Sequence, residues 1–234
     1  LMYALAWTSL RENIALYTVV TLTVVMLELI MSAVGIVTLV FAGLVMLYTH
    51  RIIQLHEHHG WTDPLSTTGK DGSKVPIIGY LLRFLGVFLA LMLFLTGGFM
   101  ALDAFGVLQP DDFLAEIEYA MWGFLLGVPT FAITLSAIGT VLPACAERGN
   151  TSLVAALKRG RKTFGRTLLN LVIGPVAVAM LGFVVLGQIG WLLGPMEGWV
   201  PRILFRVAAT ILTILPALLA AAALSKAYLD AKTR

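Results

Sequence analysis

The amino-acid sequence predicts an all-α fold: a polytopic membrane helix bundle of about six transmembrane helices plus short interfacial amphipathic helices, in a single domain over residues 1–234. The chain is 59% hydrophobic and 12% charged, with a mean hydropathy of +0.92, whereas a soluble domain carries roughly 25% charged residues. Its apolar residues lie in segments that reach the about 20 residues a spanning helix needs. Of its 16 Lys and Arg residues, 14 lie in the two terminal segments or in or beside every second gap between the apolar segments. Arg202 and Arg206 are the two exceptions.

The first apolar stretch, from Asn13 to Thr49, is interrupted only by Glu28. A single helix of that length would measure on the order of 55 Å, well above the roughly 30 Å thickness of a hydrocarbon core. We therefore predict a helical hairpin with its break near 31–35. The six predicted spans lie at about 13–30, 35–55, 77–101, 113–146, 167–193 and 201–231.

The remaining spans have start signals or internal prolines. Pro76 precedes the third span, as expected of a residue with no N–H to donate. The acidic segment 111–118 opens the fourth, where carboxylates suit the positive end of the helix dipole. Four prolines lie inside predicted spans, namely Pro129, Pro143, Pro175 and Pro216. We expect kinks there, which a membrane helix tolerates because neighbouring helices satisfy the freed carbonyls.

The segment at about 151–165 is predicted to be an amphipathic interfacial helix with a Thr or Ser N-cap. Its apolar side carries Leu153, Ala156, Leu157 and Phe164. Its other side carries four cations that we expect to contact anionic lipid, namely Lys158, Arg159, Arg161 and Lys162. A second surface helix is predicted at 2–10.

The distribution of cations also predicts the orientation. Short loops rich in Lys and Arg stay in the cytoplasm, so both termini are expected there. The opposite side carries acidic residues, including Asp111, Asp112 and Glu197. The basic pI of about 9.1 is explained by these topology-determining cations, so we expect membrane lipids as partners, anionic on the cytoplasmic side, and no nucleic acid.

Glu28 is the one acid within an apolar run, and such a residue is by default a candidate functional group. It lies close to the predicted outer end of the first span, at the depth at which Arg202 and Arg206 enter the last one. A structural ion pair between Glu28 and Arg206 is the simplest interpretation. Solvation at the interface and a role in transport are the alternatives.

The four histidines fall within ten residues, between His50 and His59. A metal site is the less favoured interpretation, with His56 and His59 as its candidate ligands because they can share a helix face. The favoured interpretation is that these polar groups cap a helix C-terminus. The single cysteine, Cys145, excludes an internal disulfide, and the sequence predicts no catalytic residue and no cofactor.

One set of residues resembles a known family. A His50-Arg51 pair ends the second span and Glu57 follows six residues later, while Leu142-Pro143 precedes the amphipathic segment that begins near Ser152. This pattern resembles bacterial six-helix membrane proteins akin to the membrane domain of glycerophosphoryl diester phosphodiesterases, many of them uncharacterised. The resemblance implies an integral scaffold of the bacterial inner membrane with surface helices on the cytoplasmic leaflet. It implies no enzymatic activity, because the catalytic barrel is absent from this sequence.

We therefore expect a non-enzymatic membrane protein, an accessory, scaffold or assembly component that packs with lipid or with other membrane subunits. A small transporter or channel-like protein is the alternative. The two differ in one feature, because a transporter needs a polar cavity that reaches the membrane midplane.

Overall fold

The computed structural model describes residues 2–30, 34–70, 72–107, 115–193 and 198–233. Within those ranges the chain is built from α-helices and one π-turn, which confirms the predicted all-α class. In chain order the elements are α1 (Met2–Glu12), α2 (Ile14–Ile30), α3 (Val34–Leu55), α4 (Ile77–Ala104), α5 (Ala115–Ile138), α6 (Val141–Ala146), α7 (Leu153–Leu171), the π-turn (Val172–Val176), α8 (Ala177–Leu193) and α9 (Trp199–Lys232). Of the predicted break near 31–35, residues 31–33 lie outside the described residues, whereas α3 already begins at Val34. Asp111, Asp112 and Glu197 also lie outside the described residues.

The long helices match a multi-pass membrane protein in length and composition. Five described stretches are long and apolar enough to cross a bilayer: α3, α4, the last 18 residues of α5, the continuous stretch from α7 to α8, and α9. The 17 residues of α2 measure about 26 Å, slightly less than a hydrocarbon core. Together with α1, to which it is joined at an 80° bend, α2 makes a sixth candidate.

Helix α9 is the centre of the bundle. It contacts α1, α2, α3, α6, α7 and α8. Its inner half, from Leu218 to Ser225, is buried throughout and contains four consecutive alanines. Small side chains allow neighbouring backbones to approach closely, which is how helices pack in a membrane, where lipid tails are as apolar as leucine.

The fourth predicted span, 113–146, is shorter in the structure and is broken. Helix α5 ends at Ile138, a turn follows at Gly139–Thr140, and the short, fully buried helix α6 begins at Val141. Pro143 explains the break, because its ring would clash with the carbonyl of the residue four positions earlier, which is Gly139. The proline therefore ends the long helix instead of bending it.

The predicted interfacial helix at 151–165 and the fifth span at 167–193 are not separate elements. Helix α7 begins after the Ser152 N-cap, whose side chain accepts a hydrogen bond from the Ala155 amide at 3.2 Å, and it continues through the π-turn into α8. Pro175 lies inside that turn, where the wider backbone accommodates a residue without an N–H.

The residues of the predicted apolar side of α7 do not share one environment in the structure. Leu153 and Leu157 are exposed and Phe164 is half-buried. The buried stripe consists instead of Ala156, Gly160, Thr163, Thr167 and Leu171. Small and hydroxylated residues take the inner positions because α5 lies directly against this stripe: a Cβ atom on Gly160 would stand 2.1 Å from the Ala137 carbonyl oxygen.

The charged segments meet at one end of the bundle. Lys232, near the end of α9, forms a 2.7 Å ion pair with Glu147, in the segment after α6. Arg166 of α7 pairs with Asp230 of α9, and Arg148 donates a hydrogen bond to the carbonyl of Lys74 in the long loop after α3. Both basic loops and the C-terminal end therefore lie together, as the alternation of charged gaps predicts. We call this the basic end.

Candidate functional site

The structure brings Glu28 and Arg206 together. A guanidinium nitrogen of Arg206 lies 3.7 Å from a carboxylate oxygen of Glu28, at the end of the bundle opposite the basic end. The Glu28 side chain is 6% exposed and that of Arg206 is 40% exposed. The hydroxyl of Thr38 on α3 donates a hydrogen bond to the same carboxylate. Glu28 thus links α2, α3 and α9, as a structural acid would.

This pair gives a double-mutant prediction. We expect Glu28→Gln and Arg206→Gln each to lower the free energy of unfolding in detergent. We expect the double variant to lose less than the sum of the two by about 0.2–1 kcal/mol, because Arg206 is partly solvated. Thermal unfolding of the four proteins in one detergent measures the coupling. Strictly additive losses would remove the ion pair as an explanation and return Glu28 to the list of candidate functional acids.

The two candidate metal ligands do not share a helix face. Helix α3 ends at Leu55, and His56 has a φ of 52°, a left-handed conformation that turns the chain away from the helix axis. His56 is exposed whereas His59 is buried. Among the described residues, no group of three or more His, Cys, Asp or Glu side chains is gathered in a way that could hold a metal ion.

The four predicted lipid-contacting cations divide into two groups. Lys158, Arg161 and Lys162 are exposed on α7. Arg159 faces the bundle instead: it donates to the Asn150 carbonyl at 3.1 Å, and its guanidinium carbon lies 5.3 Å from the centre of the Tyr228 ring. Arg159 therefore holds the 147–152 segment against α9.

The most unusual feature of the structure is a set of buried polar side chains where α3 reaches the basic end. We call it the polar cluster. It comprises Asn13, Tyr17, Tyr48, Thr49, His50, Arg51, Glu57, His59, Tyr80, Cys145 and Ser225, all of them buried. These residues come from five helices, from the joint between α1 and α2 and from the loop between α3 and α4, so the cluster connects several parts of the basic end.

An ion pair between Arg51 and Glu57 is central to the cluster. The guanidinium donates through Nε to one carboxylate oxygen at 2.7 Å and through Nη2 to the other at 2.6 Å. Its third nitrogen, Nη1, donates at 3.1 Å to the carbonyl of Ala146, the last residue of α6, one of the carbonyls that a helix end leaves without a partner. The turn at His56 brings Glu57 back onto Arg51. Only 2% and 5% of the two side chains are exposed.

His50 connects the core helices. Its Nδ1 lies 2.7 Å from the Ser225 hydroxyl of α9, and its ring lies 6.0 Å from that of Tyr80 on α4. Among the described residues, His50 Nε2 and the Tyr80 hydroxyl have no hydrogen-bond partner.

Cys145 of α6 belongs to the same region. Burial raises the pKa of its thiol, and the nearby guanidinium of Arg83, which hydrogen-bonds it, partly opposes that shift. A thiol with a raised pKa is a poor nucleophile at neutral pH. Cys145 therefore acts here as a small packing residue.

Asn13 fixes the joint between α1 and α2 to the rest of the cluster. Its side-chain oxygen accepts from the His59 backbone amide at 2.7 Å, and its amide nitrogen donates to the Ser9 carbonyl at 3.1 Å. The His59 ring packs edge-on against Tyr48 at 5.0 Å. Burial lowers the pKa of His59, an effect that Glu57 and Asp63 oppose.

The chemistry available to the cluster is limited by burial. A serine hydroxyl 2.7 Å from a histidine nitrogen has the geometry of an activated nucleophile, yet His50 and Ser225 are both completely buried. Two crevices between the helices of the bundle are lined by other residues. The hydrogen-bond network satisfies helix ends and joins the elements, which is a structural task.

The two crevices lie between the membrane-crossing helices. The larger has a volume of about 800 Å³ and separates α5 from the π-turn and α8, with α9 at its base. The smaller, about 340 Å³, lies among α3, α4, α5 and α9. Phe131 and Pro216 line both. The larger is lined by apolar side chains and glycine, and Thr134 is the polar residue in the smaller.

Two glycines four residues apart can allow another helix to approach closely, but this pattern does not mark the close backbone approach in this bundle. The Gly123 and Gly127 positions form a GxxxG pattern on α5. A Cβ atom on Gly127 would meet nothing within 4 Å, and one on Gly123 would meet Phe99 at an ordinary 3.5 Å. The close approach is at Gly160.

Comparison of the chain with protein-family models, with curated proteins and with solved structures gave no match. The resemblance described above therefore stays a prediction, and the functional assignment rests on the geometry of this bundle.

Proposed function

We propose that this chain is a non-enzymatic multi-pass protein of the bacterial inner membrane. In this proposal it serves as an accessory or assembly component that packs against lipid and against another membrane subunit. One observation carries the proposal: helices α4 and α5 pack against the bundle only near the basic end, within the described residues. The buried residues of α4 are Tyr80 and Val87, in its first three turns, and those of α5 lie between Ala132 and Ser136.

Residues 89–104 of α4 and 119–131 of α5 are here called the arm. Within the arm the helices pack on each other: Gly98 faces Leu126, and the Phe99 and Tyr119 rings lie 6.4 Å apart. Away from this contact, large apolar side chains such as Leu93 and Phe94 are exposed. The arm therefore has an internal contact but an uncovered outer surface.

The size of the accessible surface supports this interpretation. The chain exposes 12978 Å², whereas a compact monomer of this mass would expose roughly 10,300 Å². Extended apolar faces of this kind are where proteins contact membranes or other proteins. The apolar linings of both crevices favour packing over transport, since a transport path at midplane depth requires polar or ionisable groups.

A photo-crosslinking residue placed at Leu93, in the arm, tests the proposal in living cells. Ile78 is the matched control: it lies on the same helix at the basic end and is similarly exposed. We expect Leu93 to yield one discrete adduct with a second membrane protein and Ile78 to yield lipid adducts. Lipid adducts at both positions, or solute flux through vesicles that contain the purified protein, would contradict the accessory role.

The proposed orientation has its own test. With the basic end in the cytoplasm, a cysteine at Phe105, beyond the apolar part of α4, should react with a membrane-impermeant thiol reagent in intact spheroplasts. A cysteine at Trp61, in the loop after α3, should react only after permeabilisation. Both native side chains are strongly exposed, and a Cys145→Ala background removes the native thiol. The reverse pattern of labelling would invert the topology.

A further inference from the structure

The loop between α3 and α4 is attached to the basic end in two steps. Its first attachment is the buried ion pair between Glu57 and Arg51. Residues 59–70, which follow, are here called the cap. The cap lies over Tyr48 of α3, which is 1% exposed and donates a hydrogen bond to the Ser66 carbonyl at 3.0 Å. The loop therefore has a fixed point at its start and a separate cover beyond it.

His59 attaches the cap at its first residue. Its backbone amide donates to the side-chain oxygen of Asn13 at 2.7 Å, and its ring packs edge-on against the Tyr48 ring at 5.0 Å. His59 is 6% exposed, and neither of its ring nitrogens has a hydrogen-bond partner among the described residues. The imidazole is therefore held in place by packing and not by hydrogen bonds.

Protonation of the His59 ring would work against this packing. An imidazolium carries a positive charge and donates from both ring nitrogens. A charge that is buried without hydrogen-bond partners is costly, whereas the same ring in a released cap would be hydrated. The docked cap therefore favours the neutral imidazole.

The charged groups around this imidazole act in both directions. Two loop carboxylates favour its protonated form, and two groups that are or can become cationic oppose it, in that order Glu57, Asp63, Arg51 and His58. The carboxylate of Glu12, at the end of α1, lies 4.0 Å from the His58 ring. Burial is the largest effect and outweighs the two loop carboxylates, so the pKa of His59 in the docked cap is lower than its ordinary value of about 6.5.

The direction of the pH dependence follows from these two states of the cap. A released cap has a histidine with the ordinary pKa, and it takes up a proton as the pH falls through about 6.5. The docked cap takes up that proton only at a lower pH. Docking is therefore fully stable above pH 6.5 or so and weakens as the pH falls below it, by at most about tenfold per pH unit in the ratio of docked to released cap.

We propose that acid releases the cap from the basic end and that His59 is the group whose protonation releases it. Glu57 stays paired with Arg51 and acts as the hinge, because this ion pair precedes the cap in the chain. Within the cap, the Lys70 amide donates to the Glu57 carboxylate at 3.4 Å. Release therefore uncovers both Tyr48 and the ion pair at the basic end. The inference goes beyond the accessory role and does not depend on it.

The distance between a spin label on the cap and one on α7 measures the release, by double electron–electron resonance in detergent. Trp61→Cys and Leu153→Cys carry the labels, because both native side chains are strongly exposed, and Cys145→Ala removes the native thiol. We expect one narrow distance at pH 7.5 and a second, broad population at pH 5.5. The ratio of released to docked cap should rise by as much as about tenfold over this range. A single narrow distance at both pH values would overturn the inference.

Two histidine variants identify the group that responds. His59→Phe keeps a ring against Tyr48 but cannot take up a proton, so its cap should stay docked at pH 5.5. His58→Gln is the matched control at the neighbouring, exposed histidine, and its cap should be released by acid as in the native chain. An undiminished release in His59→Phe, or a loss of the release in His58→Gln, would refute the role of His59.

Nuclear magnetic resonance of the chain with labelled histidines decides the question even if the cap of His59→Phe is already released at pH 7.5. In a His56→Gln/His58→Gln variant the remaining imidazoles are those of His50 and His59. We expect one of their two signals to titrate below pH 6.5, over the same pH range as the change in spin-label distance. Release without a titrating imidazole, or a titration that leaves the cap docked, would contradict the proposal.

Discussion

Replacing Arg51 with methionine is expected to lower the free energy of unfolding by about 3–5 kcal/mol, the cost of leaving one member of a buried ion pair without its partner. The carboxylate of Glu57, almost fully buried, would lose both of its short hydrogen bonds to the guanidinium. The carbonyl at the end of α6 would also lose its donor. We expect the loop after α3 to separate from the bundle first, because Glu57 is among its principal attachments.

Reversible unfolding in detergent measures this loss, and the chain offers a matched control. Arg166 and Asp230 form an ion pair through a single contact at 3.1 Å, and the Arg166 side chain is 59% exposed. Arg166→Gln should therefore cost no more than about 1 kcal/mol. The double variant Arg51→Met/Glu57→Leu should recover much of the loss, since two apolar side chains can replace a buried pair. Equal losses for Arg51→Met and Arg166→Gln would show that the buried pair is not a principal attachment.

Some parts of this structure can be predicted from the sequence and others cannot. Hydropathy and the alternation of cations locate the long helices, because lipid imposes a strong and simple rule on composition. Counting residues from the predicted helix ends places Glu28 and Arg206 at a similar depth in the membrane. That similarity was sufficient to suggest that the two residues form a pair. The polar cluster gives a partial signal: His50, Arg51 and Glu57 lie close together in the sequence, but Asn13 and Ser225 are far from them in the chain.

Helix ends are the second place where the sequence is ambiguous. Pro143 and Pro175 both lie inside apolar stretches, yet the first ends a helix and the second is absorbed by a π-turn. The outcome depends on what surrounds each proline. Gly139 and Thr140 form the turn before Pro143, whereas α7 is held straight by its contact with α5. The predicted interfacial helix failed as a separate element for the same reason.

The amphipathic pattern of α7 predicts an apolar side but not which residues pack against the protein. In a water-soluble protein a buried stripe would be rich in leucine, because a buried leucine is stabilising there. Between helices in a membrane, the benefit comes from close contact of backbones, which favours glycine, alanine and threonine. Leu153 and Leu157 accordingly face outward, and Gly160 faces α5.

Gly160→Ala is the substitution that tests this packing most directly, and we expect it to lower the free energy of unfolding by about 1–3 kcal/mol through overpacking. The added methyl would stand 2.1 Å from the Ala137 oxygen and 2.8 Å from the Ser136 oxygen. Both are backbone atoms of α5 and cannot rotate away as a side chain would. The two helices would have to separate, and the hydroxyl of Thr140, which donates to the Ala156 carbonyl at 3.3 Å across the same contact, would lose its acceptor.

Gly165→Ala provides the control five residues later on the same helix. Nothing lies within 4 Å of a Cβ atom there, so the same added methyl should instead raise the free energy of unfolding by about 0.5–1 kcal/mol, because alanine loses less backbone entropy than glycine in a helix. Gly127→Ala, in the GxxxG pattern, should behave like Gly165→Ala for the same reason. If α5 and α7 are in backbone contact at Gly160, thermal unfolding should show a lower free energy of unfolding for Gly160→Ala and a higher one for Gly165→Ala and Gly127→Ala. Losses of similar size at all three positions would mean that helix propensity or lipid contact, and not the approach of α5 to α7, determines the response of this chain to an added methyl group.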